Sequence, residues 1–424
     1  MSQGTDFKQL LADGQIEAAE AVCERRLESH PDDVAALNLA ALGALRRKDS
    51  MRARGLLEHA ARLSPEDPDT LYHLGRAREA LGDFGGALAA DEAAARLAPH
   101  RALLRLHYAL DLERHGQVER SLLHFTRAIK DAQAQNQWTD AASTPPALRP
   151  AVEHAVAAVR RGQQAFFHQL LEPIVARYGR SSLERVFAAT RIYVGEQQPV
   201  FPDARQRPTF FYVPDLRPSA YFDRRLFPWI PEYEQNYAQI KRELEMLLPS
   251  ERGSERVFGS EALEGENLRG YGATPGWNGY YFYRHGERRE DNCAACPATA
   301  AALDAIALIR IRDHGPEVLH SVFTPGTHLL PHRGVTNARA VSHLPLIVPS
   351  DCALRVGGEE RLWREGQTLV FDDTYEHEAW NRSRQVRVVL IADVWNPYLS
   401  ELERAAINDV ITAIGDLRSE VDKL

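Results

Sequence analysis

Two histidines and an arginine are the residues of this chain best placed to do chemistry. His332 stands in P-H-R-G-V-T-N-A-R, His377 in Y-E-H-E-A-W-N, and Arg387 follows His377 by ten residues, all in strand-forming surroundings. Neutral imidazoles are good ligands for Fe(II). A guanidinium fork on the next strand matches a carboxylate in bidentate fashion. An oxygenase that uses iron and 2-oxoglutarate needs this set: two ligands for the metal and a fork for the distal carboxylate of the keto acid.

Such groups must converge, and the runs around them predict how. Phe210–Val213, Gly279–Tyr283, Val318–Phe323, His343–Val348 and Val386–Val394 are short β-branched or aromatic stretches separated by Gly, Pro and Asp. That texture suits a sandwich or jelly roll (a double-stranded β-helix of the cupin kind) over residues 207–402. Helices are expected at Glu234–Leu248 and Ala298–Ala307, and a further one over 403–424. His332 is expected just before the strand starting near Arg339, and His377 just before the one starting near Val386, both facing the mouth between two sheets.

The first third reads differently. Pro31, Pro65 and Pro99 recur every 34 residues, closing the phrases E-R-R-L-E-S-H-P, H-A-A-R-L-S-P and E-A-A-A-R-L-A-P. Ala19, Ala53 and Ala87 keep one place before each proline, Leu74-Gly75 matches Ala40-Ala41, and Gly82 and Gly116 fall at turns between paired helices. This is the period and small-residue pattern of a tetratricopeptide-like solenoid over 1–132, whose helix pairs share a continuous core. A linker rich in proline and small polar residues, Asn136–Pro150, and connecting helices fill 133–206. The chain is therefore a multidomain α + β protein.

Composition narrows the classes further. The 424 residues are 44% apolar and 26% charged, with a net charge of −8, so no general field draws in nucleic acid or an anionic membrane. The N-terminal M-S-Q-G-T-D-F-K-Q-L-L has no apolar signal core, and no run reaches the roughly 18 to 20 apolar residues of a membrane span. A cytoplasmic protein is expected. Four cysteines are too few for a disulfide scaffold. Cys293 and Cys296 form a C-x-x-C, but without a second pair or a βαβ signature it reads as a plain thiol pair in a loop.

Three segments carry a more specific likeness: S-V-F-T-P-G-T-H-L-L-P-H-R-G-V-T-N-A-R, W-R-E-G-Q-T-L-V-F-D-D-T-Y-E-H-E-A-W-N and R-V-V-L-I-A-D-V-W-N-P-Y-L-S. Over about 208–402 the chain resembles the aspartyl/asparaginyl β-hydroxylase family, animal members of which also carry tetratricopeptide-like repeats ahead of the oxygenase domain. The resemblance implies His332 and His377 as the iron ligands. It also implies Gly334 where most such oxygenases carry a carboxylate, a position that this family leaves to water. Arg387 would take the distal carboxylate of 2-oxoglutarate, with Ser321 sharing it and Trp277 and His343 as further cosubstrate contacts. One departure stands out: Val341 occupies a position where the family has an arginine, and Arg339 and Arg333 are the candidates to supply that charge.

The implied reaction is hydroxylation of the β-carbon of an Asp or Asn residue in a peptide or protein, consuming O2 and releasing succinate and CO2. The repeat array is a possible holder of that substrate. Alternatives are a repeat-based peptide-binding protein with a degenerate oxygenase domain, an oxygenase acting on a free amino acid or small peptide natural product, and C–H halogenation through the space at Gly334. Asp372-Asp373 read equally as turn residues or as acceptors near His377. Arg284, Arg288 and Arg289 read as a solvated loop or a grip on an acidic substrate, and Trp363, Trp380 and Trp395 as packing.

Overall fold

Aspartates open four of the seven helices between Ile16 and Ala134: Asp33, Asp49, Asp67 and Asp83 each accept a backbone N–H of the first turn, which satisfies an otherwise orphaned donor. In the computed structural model, which describes residues 10, 13–250, 253–260, 263, 266–270 and 276–424, these helices are α1 Ile16–Ser29, α2 Val34–Arg46, α3 Ser50–Leu63, α4 Pro68–Ala80, α5 Phe84–Leu97, α6 Ala102–Arg114 and α7 Val118–Ala134. Their starts recur at 34 residues in two series, 16/50/84/118 and 34/68/102. Gly82 and Gly116 lie at the turns with positive φ (79° and 72°), where a glycine is least strained. Ala19, Ala53 and Ala87 are fully buried, as close packing of paired helices requires. The N-terminal stretch read for a signal core falls mostly outside the described residues.

The chain divides into two units, residues 1–162 with 417–424, and residues 163–416. The first is the helical repeat region, completed by the start of helix Arg149–Tyr178, whose Val152, Ala155 and Ala158 pack with Phe125 and Ala128.

The second unit is an antiparallel β domain. Its strands are β1 Ser254–Arg256, β2 Leu268–Gly270, β3 Trp277–Arg284, β4 Glu287–Arg288, β5 Val318–Phe323, β6 Thr327–His332, β7 Arg339–Ile347, β8 Cys352–Val356, β9 Glu359–Leu362, β10 Leu369–Phe371, β11 His377–Asn381 and β12 Arg387–Trp395. The larger sheet runs β1-β3-β5-β12-β7-β10, with β4 on β3, and the smaller runs β2-β6-β11-β8-β9. Alternation sorts the side chains. Phe323, Val341, Phe371 and Val389 of the larger sheet share one apolar cluster with Leu329, Leu354, Val356 and Ala379 of the smaller, so the two sheets pack face to face. Val318, Leu344, Leu346, Val388 and Leu390 point the other way, against helices Tyr237–Leu247 and Pro297–Asp304. Among the described residues no helix is long and apolar enough to cross a membrane.

Several local expectations change. Phe210–Val213 forms no strand, because its backbone bonds go to Val335 and to the Asn337 side chain rather than to a ladder. The expected helix Glu234–Leu248 is two helices, Ile230–Gln235 and Tyr237–Leu247, and Pro297–Asp304 stops short of Ala307. Cys293 and Cys296 sit on and after the short helix Glu290–Ala295, buried and unpaired as a disulfide. Burial raises both thiols, Cys296 to about 12, which leaves them unreactive. His332 and His377 do precede strands that start at Arg339 and Arg387, but each also stands in a strand of its own: His332 ends β6, His377 begins β11, and the two are Cα partners.

Candidate active site

The smaller sheet brings the two histidines together, with ring centroids 4.0 Å apart. Their orientation is set by backbone. His332 Nδ1 donates to the Leu330 carbonyl (2.8 Å) and His377 Nδ1 to that of Tyr375 (3.1 Å), which leaves both Nε2 lone pairs available. Burial, aided by His332, pushes His377 down to about 4, so it is neutral at pH 7 and able to ligate. Among the described residues no group of three or more His, Cys, Asp or Glu side chains is spaced for a metal; the pair stands without a ligating carboxylate.

A carboxylate is nevertheless beside it. A Cβ built on Gly334 would overlap the Asp373 carboxylate, and Gly334 N–H donates to the Asp373 carbonyl (2.6 Å). Asp373 Oδ2 accepts from Arg339, while Oδ1 has no donor. The two adjacent aspartates thus divide. Asp372 does turn work, accepting from Thr374 and Gln206, and Asp373 faces the glycine and the histidines. Arg339 has its charge matched by two carboxylates, its second terminal nitrogen bonding Asp393 (2.9 Å), while its Nε has no acceptor.

The larger sheet supplies the other half of the site from the inner face of β3, β5, β7 and β12. Arg387 is 1% exposed. It donates from Nη1 to Ser321 Oγ and to the Ser321 carbonyl (both 3.2 Å), and Nε has no acceptor. Trp277 Nε1 donates to the same Oγ (2.9 Å), so the serine's own proton is free for a further acceptor. The guanidinium lies 3.7 Å from the Phe323 ring centroid and 4.7 Å from that of Trp363. Among the described residues no carboxylate pairs with it, and burial pushes it down to about 9. Trp363 Nε1 reaches His343 Nδ1 (3.3 Å). His343 meets Phe371 edge-on at 5.0 Å, and Phe371 lies 5.5 Å from His377, so contacts run unbroken from Arg387 to the histidine pair.

His332 and His377 on the smaller sheet therefore face Ser321, Trp277, His343 and Arg387 on the inner face of the larger, and the charge of Arg339 is already matched by Asp373 and Asp393. Phe323 and Phe371 escaped sequence reasoning, and Trp363, read there as packing, lies over Arg387 and reaches His343. Trp380 packs under Arg355 and Arg382 on the outer face. Of the outlying arginines, Arg284 ends β3 and Arg288 lies in β4 rather than in a loop, and Arg284 pairs with Glu255 and Arg288 with Glu290 and Asp304. Arg333 pairs with Glu376 and the Arg205 carbonyl.

Comparison with known proteins bears on the family of the chain. Residues 234–397 match the family described as Aspartyl/Asparaginyl beta-hydroxylase. The chain is 32% identical to mouse (Mus musculus) aspartate beta-hydroxylase domain-containing protein 2 over 262 residues, covering 59% of this chain and 71% of that protein. It is 36% identical over 182 residues to an ornithine lipid ester-linked acyl 2-hydroxylase of Rhizobium tropici, covering 42% and 61%. It is 26% identical over 407 residues to human (Homo sapiens) aspartyl/asparaginyl beta-hydroxylase, covering 93% and 47%. The chain thus spans less than half the length of the mouse and human aspartyl/asparaginyl beta-hydroxylases it matches. On the strength of a relative of which it covers more than two thirds, the chain belongs to the aspartyl/asparaginyl beta-hydroxylase family.

Proposed function

We propose that the β domain is a double-stranded β-helix (jelly roll) acting as an Fe(II)- and 2-oxoglutarate-dependent dioxygenase, and that the helical region is a tetratricopeptide array. The substrate proposed first is an Asp or Asn residue of a peptide or protein, hydroxylated at its β-carbon. The observation that carries this reading is Arg387: a buried guanidinium without a carboxylate partner is costly unless an anionic ligand completes it.

His332 and His377 would hold the iron, and their paired, backbone-oriented rings fit that role. Bound iron and 2-oxoglutarate would supply oxidative decarboxylation to succinate and CO2 and the insertion of oxygen from O2 into an unactivated C–H bond. The chain's residues do the positioning. Arg387 and the free Ser321 proton take the distal carboxylate of the cosubstrate, Trp277 fixes the serine, and Trp363 fixes His343 beside it. Phe323, Trp363 and Phe371 exclude water, which strengthens each polar contact inside. Arg339 serves through Asp373, whose unpartnered oxygen lies where a side chain at 334 would lie; two neutral ligands without a ligating carboxylate imply weak iron retention.

A second substrate reading rests on Val341. The inner face at that strand position is apolar, packed with Phe371, Leu329 and Ala379, and the relative from Rhizobium tropici is named for acyl 2-hydroxylation. This favours an aliphatic carbon next to a carbonyl.

Anaerobic addition of Fe(II) and 2-oxoglutarate tests the site. A weak visible absorption band that is lost in His332→Ala, His377→Ala and Arg387→Ala is expected. Its absence from folded, iron-loaded wild type would leave only a binding protein. Succinate release stimulated by Asp/Asn peptides or by acyl compounds then decides between the two substrates.

A further inference from the structure

One buried row of the array breaks its own repeat. Cys23, Leu57, Asp91 and Phe125 recur at 34 residues and are each no more than 1% exposed. Three are apolar, and Asp91 on α5 is a carboxylic acid. The neighbouring row gives way to it. Ala41 and Ala109 are the equivalents of Gly75, and a Cβ at 75 would overlap the Asp91 carboxylate.

Charged groups gather around this acid. Arg76 of α4 pairs with Asp91, with Glu79 of α4 and with Asp111 of α6 (3.4 Å). Arg114 of α6 pairs with Glu79 and with Asp111 (2.9 Å). Three carboxylates therefore share two guanidiniums. His107 adds no cation: burial pushes it down to about 3, and its Nε2 meets the Tyr72 hydroxyl (3.2 Å). The other titratable groups of the packed helices are engaged elsewhere, Glu58 with Arg78, Asp69 with Arg101 (and His73 beside it), and Glu92 with Tyr108 and Arg120.

The accounting of donors points the same way. Asp91 Oδ1 has no donor, and the group beside Asp91 is the Asp111 carboxyl. A proton held between the two acids supplies the missing donor and balances the charge. Burial, reinforced by Asp111, pushes the Asp91 carboxyl up to about 8. Apolar packing does not seal this seam instead. The apolar clusters join α2 to α4 and α6 to helix Arg149–Tyr178, while the apolar cluster shared by α5 and α6 is the small one of Leu88, Ala95, Tyr108 and Leu112.

We propose that the Asp91–Asp111 pair is a proton-dependent latch across α4, α5 and α6, closed while one proton is shared and opened when its release leaves an unbalanced buried carboxylate. The device loosens the middle of the array, and any groove it presents, as pH rises.

Hydrogen exchange of the full chain, corrected for intrinsic exchange chemistry, tests this between pH 5.5 and 8.5. If opening releases one proton, protection of α4–α6 amides falls about tenfold per pH unit up to about pH 8 and then levels off, while α1–α3 amides stay flat. Asp91→Asn, the same shape without a titrating proton, flattens the α4–α6 profile. Should that variant fail to fold, Asp91→Leu, the residue type at the equivalent Leu57, gives the same flat profile. A flat wild-type profile, or a variant that keeps the wild-type slope, overturns the latch.

Discussion

Replacing Arg387 with methionine should stabilise the protein while removing its response to 2-oxoglutarate. Burial lowers the guanidinium well below its ordinary value, to about 9, a bias of about 5 kcal/mol against the charged form at about 1.4 kcal/mol per unit. Because folding lowers this pKa, the unfolded chain binds the proton more tightly. The penalty is therefore present in full below about 9 and shrinks only at higher pH. Against it stand the faces of Phe323 and Trp363, about 0.5–1 kcal/mol each, and the bonds to Ser321, about 1–2 kcal/mol together. The net gain expected for Arg387→Met is about 2 kcal/mol. For a unit of this size that is a Tm increase of about 4–8 °C. The assay is thermal unfolding with Mn(II) as a redox-inert metal, with and without 2-oxoglutarate. Ligand at about 100 times its Kd should add about 2.7 kcal/mol to wild type and nothing to the variant. A variant that melts below wild type without ligand would mean that Arg387 is internally compensated. A variant that keeps the 2-oxoglutarate shift would remove it from the cosubstrate site.

His320, fully buried with both ring nitrogens unpartnered, is pushed down to about 3 by burial. Only the unfolded chain takes up its proton near pH 6.5, so its share of stability is lost as pH falls from about 6.5 toward 3, about 2 kcal/mol by pH 5. Urea unfolding at pH 7.5 and 5 should show His320→Leu losing about that much less than wild type, and equal losses would refute the assignment. Gly334→Ala should cost about 1–3 kcal/mol through overlap with Asp373, and a double-mutant cycle with Asp373→Ser should recover most of it; additive losses would count against the contact. Arg339→Met leaves Asp373 and Asp393 buried without their counter-ion, so a loss of about 3–5 kcal/mol is expected from denaturant midpoints, and a near-neutral result would refute the buried triad.

The helical region was legible because its signal is repeated. Prolines, capping aspartates and small residues recur at one period, so each helix pair repeats the same evidence. The β domain was legible in type but less in detail. Val318–Phe323 emerged with its predicted bounds because its side chains alternate cleanly between two cores. Phe210–Val213 has the same texture yet forms no ladder, since its partner is the irregular 334–337 segment and a single asparagine side chain. Strand propensity reports a half-buried extended backbone, not what that backbone bonds to.

The site divides along the same line. Residue types pointed to the histidines and the arginine, because ligation and carboxylate recognition need particular functional groups, and the family resemblance added the serine. What makes Arg387 informative is that no carboxylate among the described residues pairs with it, and no spacing in the chain encodes a missing carboxylate. Arg339 and Arg387 look equivalent in sequence, each an arginine opening an inner strand. Their surroundings separate them. Arg339 lies between Asp373 and Asp393, so its charge is spent inside the fold. Arg387 lies between two aromatic faces and a serine already bonded to Trp277, so its charge is left for a ligand. The same physics explains why Val341 is tolerated. With Arg339 neutralised by two aspartates, a further arginine at 341 would face the Phe371 and Leu329 cluster without a counter-ion. The apolar side chain suits the fold, and the demand for an anion is left to Arg387.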